Sequence, residues 1–164
     1  MTKQTKQYLY LGLFALVIVG LDQLTKALVV AHIPYGGQVK LIPGLVHLTY
    51  VRNAGAAFSM LSGARWLFLL LVVVFLAELV VLVKRGVLSA PSELWCMAAI
   101  AGGAVGNAFD RAVSGTVVDM IEVEFIRFAV FNVADCFITC GAIAFVIYII
   151  FFSPKKESGD AKDL

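Results

Sequence analysis

Two aspartates, Asp119 and Asp135, stand out, and Asp119 most, because it sits in an apolar stretch with no basic residue within four positions. Asp119 is flanked by Val117, Val118, Met120 and Ile121. Asp135 follows Asn132 by three residues, the spacing of an N-cap with its capping-box acid. Two carboxylates held within a few ångströms cannot both ionise at neutral pH and so share a proton. One can then deprotonate a water while the other donates to a peptide carbonyl. A helix N-terminus favours an ionised acid by about 0.3–1 kcal/mol, which makes Asp135 the expected base. The same pair would also suit a proton relay or a cation site.

Other polar residues gather with them. Asn107, Asp110 and Arg111 fall at i, i+3 and i+4 and share one helix face. Gly102 and Gly106 precede them as a small-xxx-small pair that lets a neighbouring helix come close. The plain reading of this segment is a packing helix ending in an Asp–Arg pair. Arg111 has the planar fork suited to holding a carboxylate or carbonyl. Asp22 and Lys26 form an i,i+4 pair, and Asn53 lies in a loop expected on the same side. Zinc hydrolysis is poorly supported, because His32 and His47 stand far apart and form no paired motif. A Ser–Lys dyad (Ser59 or Ser62 with Lys40) has no motif to mark it. Cys136 and Cys140, one helical turn apart, read as small packing residues.

The elements that must position these groups are dictated by composition. The chain is 61% hydrophobic and only 15% charged, with a mean hydropathy of +0.93. Soluble domains run near 45–50% apolar and about 25% charged, so the chain reads as one integral membrane domain. A formal net charge of +2 argues against nucleic acid as the partner, and three cysteines make no disulfide framework. Four segments have the roughly 20 apolar residues that a bilayer demands: about 8–31, 66–83, 94–112 and 134–152. The first is expected to be an uncleaved anchor rather than a leader, since its apolar pattern continues past Asp22.

Four spans place both termini on one side. Seven of the 13 basic residues fall there, and the Lys84–Arg85 and Lys155–Lys156 pairs lie directly at span ends, so that side is expected to be cytoplasmic. The connection over about 39–62 alternates (Val46, Leu48 and Tyr50 against His47, Thr49 and Val51) beyond a Pro43–Gly44 turn. A second alternation sets Ile121, Val123 and Phe125 against Glu122 and Glu124. Together they predict a small β-sheet at the interface on the non-cytoplasmic side. The tail over about 155–164 is expected to be disordered. An acid at a span centre costs around 2.5–3.5 kcal/mol. Yet Asp22, Asn107, Asp110, Arg111 and Asp135 all lie toward the non-cytoplasmic ends, with Glu78 the exception.

Five ordered motifs carry a family resemblance: Leu21–Lys26 (LDQLTK), Arg52–Phe58 (RNAGAAF), Gly106–Arg111 (GNAFDR), Val117–Asp119 (VVD) and Phe131–Asp135 (FNVAD). The chain resembles the lipoprotein signal peptidases, or signal peptidase II family, over about Gly20 to Phe137. The resemblance implies an integral membrane aspartic endopeptidase of the bacterial cytoplasmic (inner) membrane, with its active site near the outer face. It implies Asp119 and Asp135 as the catalytic dyad. Asn53, Gly55, Asn107, Asp110, Arg111 and Asn132 would hold substrate or dyad, with Asp22 a supporting residue. The implied substrate is a prolipoprotein cut just before its diacylglyceryl-modified cysteine, which acyl chains hold at the membrane surface. Membrane lipid is the other implied partner, no metal or cofactor is needed, and a monomer is the expected form. Met120 and Cys136 depart from the family's usual Phe and Ser. The competing reading is a small transporter or channel subunit with an acidic ion or proton site; a structural assembly partner is a third.

Overall fold

A computed structural model describes residues 2–55, 61 and 63–153. The motif residues Ala56, Ala57 and Phe58, the serines Ser59 and Ser62, and the tail from Pro154 onward lie outside the described residues.

Four helices and three strands follow one another as α1 (Lys3–His32), β1 (Gln38–Ile42), β2 (Val46–Asn53), α2 (Arg65–Lys84), α3 (Pro91–Ser114), β3 (Val117–Val123) and α4 (Val133–Phe151). Local signals set the ends of α1 and α3. Thr2 Oγ1 accepts from the Thr5 N–H at the start of α1. Pro91 opens α3, where its missing N–H costs nothing. The Glu93 carboxylate accepts from the Ser89 and Ala90 N–H groups ahead of it. Gly115, at φ 79°, ends α3 in the left-handed conformation.

Among the described residues, α1, α2 and α4 are long and apolar enough to cross a membrane. Their outer faces carry exposed Leu9, Leu13, Leu16, Leu70, Val73 and Ile150, an arrangement that only a hydrocarbon solvent tolerates at this density. Glu78 lies exposed on α2. The helix α3 differs. It is long enough at 24 residues but rich in Ala and Gly, and it sits against the other three helices. A Cβ on Gly106 would stand 2.7 Å from Asp22 Oδ2, and one on Gly103 would collide with the Ala134 carbonyl and Ile138. These two glycines let α1 and α4 close on α3 at the depth where the polar residues lie.

Apolar side chains pack at both ends of the bundle. Leu11, Leu88, Leu94 and Ala98 form one cluster, at the end that bears the termini. At the opposite end Val29 of α1 and Ile33, just past its end, pack beneath the sheet, against Tyr50 and Met120 with Leu48, Val118 and Ile121 around them.

The sheet is antiparallel in the order β1-β2-β3. The Pro43–Gly44 turn is present, with Gly44 at φ 77° and the Leu45 N–H donating to the Ile42 carbonyl at 3.0 Å. Simple alternation along β3 is not. The β2–β3 register slips between Leu48 and Val51, and the N–H groups of Met120 and Ile121 both donate to the Phe131 carbonyl. Consecutive donors onto one acceptor mark a bulge. Its consequence is that Met120 and Ile121 both pack toward α1, together with Val118. Asp119, between Val118 and Met120, lies on the other face by ordinary alternation. Phe125, expected to continue the alternation, lies beyond the strand and is exposed.

Candidate active site

Five elements deliver the polar residues to one place. β3 contributes Asp119, and β2 ends at Asn53, two residues past the Val51 that pairs with Asp119. That diagonal position on the same face is within side-chain reach. Asn53 Nδ2 donates to Asp119 Oδ2 at 3.1 Å, while its Oδ1 accepts from the Gly55 N–H at 2.9 Å. The start of α4 supplies Asn132 and Asp135 in a reciprocal capping box. Asp135 N donates to Asn132 Oδ1 at 3.0 Å, and Asn132 N donates to Asp135 Oδ2 at 3.2 Å.

Asn132 does more than cap. Its Nδ2 donates to Asp119 Oδ1 at 2.6 Å and to Asn107 Oδ1 at 3.1 Å, and Asn107 Nδ2 donates to Asp135 Oδ1 at 2.7 Å. Two amides thus join the two carboxylates. Asn132 is fully buried and Asp119 is 3% exposed, so the two bonds that Asn132 donates are made out of water, where losing one partner is expensive.

Beneath this layer lies a second. Lys26 Nζ stands 2.7 Å from Asp22 Oδ2 and 2.7 Å from Asp110 Oδ2, and donates to Asn107 Oδ1 at 2.9 Å. Gln23 Nε2 donates to Asp110 Oδ1 at 2.9 Å. Asp22 Oδ1 accepts from the Ala134 N–H at 3.0 Å and so ties α1 to the N-terminus of α4. The i,i+4 pair expected of Asp22 and Lys26 is therefore present but is part of a buried cluster. The Asp110–Arg111 pair expected at the end of α3 does not form. Asp110 faces Lys26, while Arg111 donates through Nη2 to the Gly55 carbonyl at 2.7 Å and lies 4.5 Å from the centre of the Phe68 ring. A lysine four residues from an aspartate on a neighbouring helix outcompetes an adjacent arginine, because residues i and i+1 point away from each other.

All nine expected residues, Asp22, Asn53, Gly55, Asn107, Asp110, Arg111, Asp119, Asn132 and Asp135, are joined in this network. Gln23 and Lys26 belong to it as well. Their signal in the sequence was present: two polar residues on α1, one and four positions past Asp22, in an otherwise apolar run.

A cavity of about 570 Å³ opens beside the carboxylates, lined by Asn53, Gly55, Asn107, Arg111, Asp119 and Asp135 on one side. Val117, the Phe128–Phe131 segment, Cys136, Thr139 and Cys140 supply the rest of the wall. Burial pushes the Asp119 carboxyl up to about 6, reinforced by the negative charge of Asp135 and opposed by the amides of Asn53 and Asn132. A mostly apolar cavity with a few convergent polar groups and a perturbed acid is the form of a binding or catalytic site. Among the described residues, no three His, Cys, Asp or Glu side chains are grouped to hold a metal ion.

Comparison with known proteins agrees with this arrangement. The family model for signal peptidase (SPase) II matches residues 14–151. A lipoprotein signal peptidase of Brevibacillus brevis is 40% identical over 145 residues, covering 88% of this chain and 97% of that protein. One from Streptococcus thermophilus is 41% identical over 148 residues, covering 88% and 92%. Two solved structures described as bacterial membrane enzymes superpose with TM-scores of 0.82 and 0.78, each at 30% identity. They cover 92% and 86% of this chain, and 93% and 92% of their own. The chain is a bacterial multi-pass membrane protein, and it belongs to the signal peptidase II family.

Proposed function

We propose that this protein is a membrane aspartic endopeptidase that removes the signal peptide of prolipoproteins, with Asp119 and Asp135 as its catalytic dyad. The observation that carries the reading is Asn132, which caps the helix under Asp135 through one end of its amide and holds Asp119 at 2.6 Å through the other. Two acids, Asp119 buried and Asp135 half-buried, fixed by one residue are preorganised for a shared proton.

The roles follow from the surroundings. Asp119, raised to about 6 by burial and by its neighbour's charge, carries the proton. Asp135, at a helix N-terminus and held by Asn107, is the ionised partner and base. A water between them loses a proton to Asp135 as its oxygen attacks the scissile carbonyl, and Asp119 gives its proton to that carbonyl oxygen. The tetrahedral intermediate then collapses. The proton on Asp135 passes to the leaving amine, the hydroxyl proton returns to Asp119, and the dyad is restored. Arg111, Gly55 and Asn53 line the cavity where an extended peptide backbone would lie. Asp22, Gln23, Lys26 and Asp110 form the base on which Asn107 rests.

In this reading α3 is a fourth span, shielded from lipid by its neighbours and so relieved of the need to be apolar all round. The termini face the cytoplasm, and the sheet and dyad lie at the outer surface as a single monomeric domain among lipid. There the acyl chains of a diacylglyceryl-cysteine would hold the adjacent bond at the height of the cavity and supply proximity without a large binding loop.

The substrate class is tested with purified protein and two forms of one precursor, with and without the diacylglyceryl group. Cleavage of the lipidated form alone, at the bond before the modified cysteine by mass, is the expected result. Equal cleavage of both forms would remove the lipid from the account. No cleavage of either by well-folded protein would favour the ion or proton pathway.

A further inference from the structure

Cys136 and Cys140 are both unpaired thiols on α4, the first partly and the second openly exposed. Both line the 570 Å³ cavity that holds Asp119 and Asp135, and the proposed hydrolysis uses neither. At i and i+4 on a helix their Cβ atoms lie about 5–6 Å apart on one face, and with free rotation at χ1 the two sulfurs can converge on one atom. The third cysteine, Cys96 on α3, does not line this cavity.

We propose that Cys136 and Cys140 form a dithiol site inside the substrate cavity, which takes a thiophilic trivalent group such as an organoarsenical and thereby closes the cavity to substrate. Soft sulfur ligands select soft, polarisable centres over the hard ions that carboxylates bind. Two thiols one turn apart gain over one because the second bond is intramolecular. With phenylarsine oxide the step balances without any oxidant. Two S–H bonds and the arsenic–oxygen bond break, two S–As bonds form, and the oxygen leaves with both protons as water. Arsenic stays trivalent throughout. The phenyl group then occupies the apolar part of the cavity, against the Phe128–Phe131 wall. That occupancy would block the protein rests on the proposed use of this cavity for substrate; the capture itself does not.

The test treats purified wild type, Cys96→Ser, Cys136→Ser and Cys140→Ser with phenylarsine oxide, and reads both intact mass and cleavage relative to each protein's untreated activity. Wild type and Cys96→Ser are expected to gain one phenylarsenic group. It should resist excess 2-mercaptoethanol and be released by 2,3-dimercaptopropanol, with cleavage lost and then restored in step. Cys136→Ser and Cys140→Ser should hold no adduct that survives 2-mercaptoethanol, and should keep their own activity. An adduct stripped from wild type by the monothiol, or retained by either single variant, overturns the dithiol site. A stable adduct with cleavage unchanged overturns the blockade. Should no untreated protein cleave a prolipoprotein, the mass readout still decides the dithiol, so failure of the functional reading is seen separately.

Discussion

Replacing Lys26 by methionine removes the one ammonium that two buried carboxylates share. Lys26 is 3% exposed and Asp22 fully buried, and the ammonium lies 2.7 Å from each of Asp22 and Asp110. Methionine keeps the length of the stem but leaves both acids facing each other without compensation. Breaking a buried pair by deleting one partner typically costs about 3–5 kcal/mol, or roughly two to nearly four powers of ten in the folding equilibrium. For a chain of this size each kcal/mol corresponds to about 2–4 °C, so Lys26→Met should melt roughly 6–20 °C below wild type. Thermal unfolding in detergent, followed by tryptophan fluorescence, reads this directly. The companion variant Lys26→Met/Asp110→Asn removes one of the stranded charges and should recover part of the loss. Groups in one network couple by about 0.5–3 kcal/mol, and the double variant should fall within that range of additivity failure. A single variant within about 1 kcal/mol of wild type, or a double variant that is additive, would refute the view that Lys26 neutralises a dry acidic cluster.

Four further outcomes follow from the same geometry. Because Asp119 titrates near 6 in the fold, above its ordinary value of 3.8, its protonated form is the stabilising one. That stabilisation is fully present below about pH 4 and lost as pH rises through 6. It amounts to about 3 kcal/mol, and pH-dependent melting should show it in wild type and not in Asp119→Asn. The same proton should appear in catalysis as a limb in kcat/KM that falls above about pH 6; a flat profile there would contradict the assignment of the acid. Gly106→Ala places a methyl 2.7 Å from Asp22 Oδ2 and should lower stability by about 1–3 kcal/mol, measured by thermal melt. Arg111→Lys loses the fork that reaches the Gly55 carbonyl and the stacking on Phe68. It should reduce kcat/KM by roughly 10- to 150-fold, from about 1.5–3 kcal/mol for a charged hydrogen bond, with a smaller change in melting than Lys26→Met.

The helices were legible because an apolar run of membrane length has few alternative structures. The segments read at about 8–31, 66–83 and 94–112 lie within helices that extend a few residues beyond them, and the one at 134–152 runs one residue past the end of α4. The capping of α4 by Asn132 could be read from spacing alone, since N-cap and N3 are local in sequence. The bulge in β3 could not. Nothing in Val117–Val123 marks where alternation breaks, because the break is imposed by the Phe131 carbonyl and by what packs on α1. That break puts Ile121 on the same face as Met120 and so opposite to Asp119. Partner choice among the charges was hidden for a similar reason. Asp110 and Arg111 are neighbours in sequence but diverge around a helix, and only the approach of α1, allowed by Gly102 and Gly106, brings Lys26 to Asp110. Gln23 and Lys26 were visible as polar residues on an apolar helix, yet their destination depends on that same approach.

The central claim is that two aspartates share the chemistry, and cleavage of a diacylglyceryl-modified prolipoprotein by Asp119→Asn and Asp135→Asn tests it most directly. Each variant would be assayed beside wild type by gel shift, after a thermal melt has shown that it folds. The account predicts that wild type releases the signal peptide while both folded variants leave the precursor intact. Cleavage by either folded variant at a rate near that of wild type would contradict it and place the chemistry on other residues.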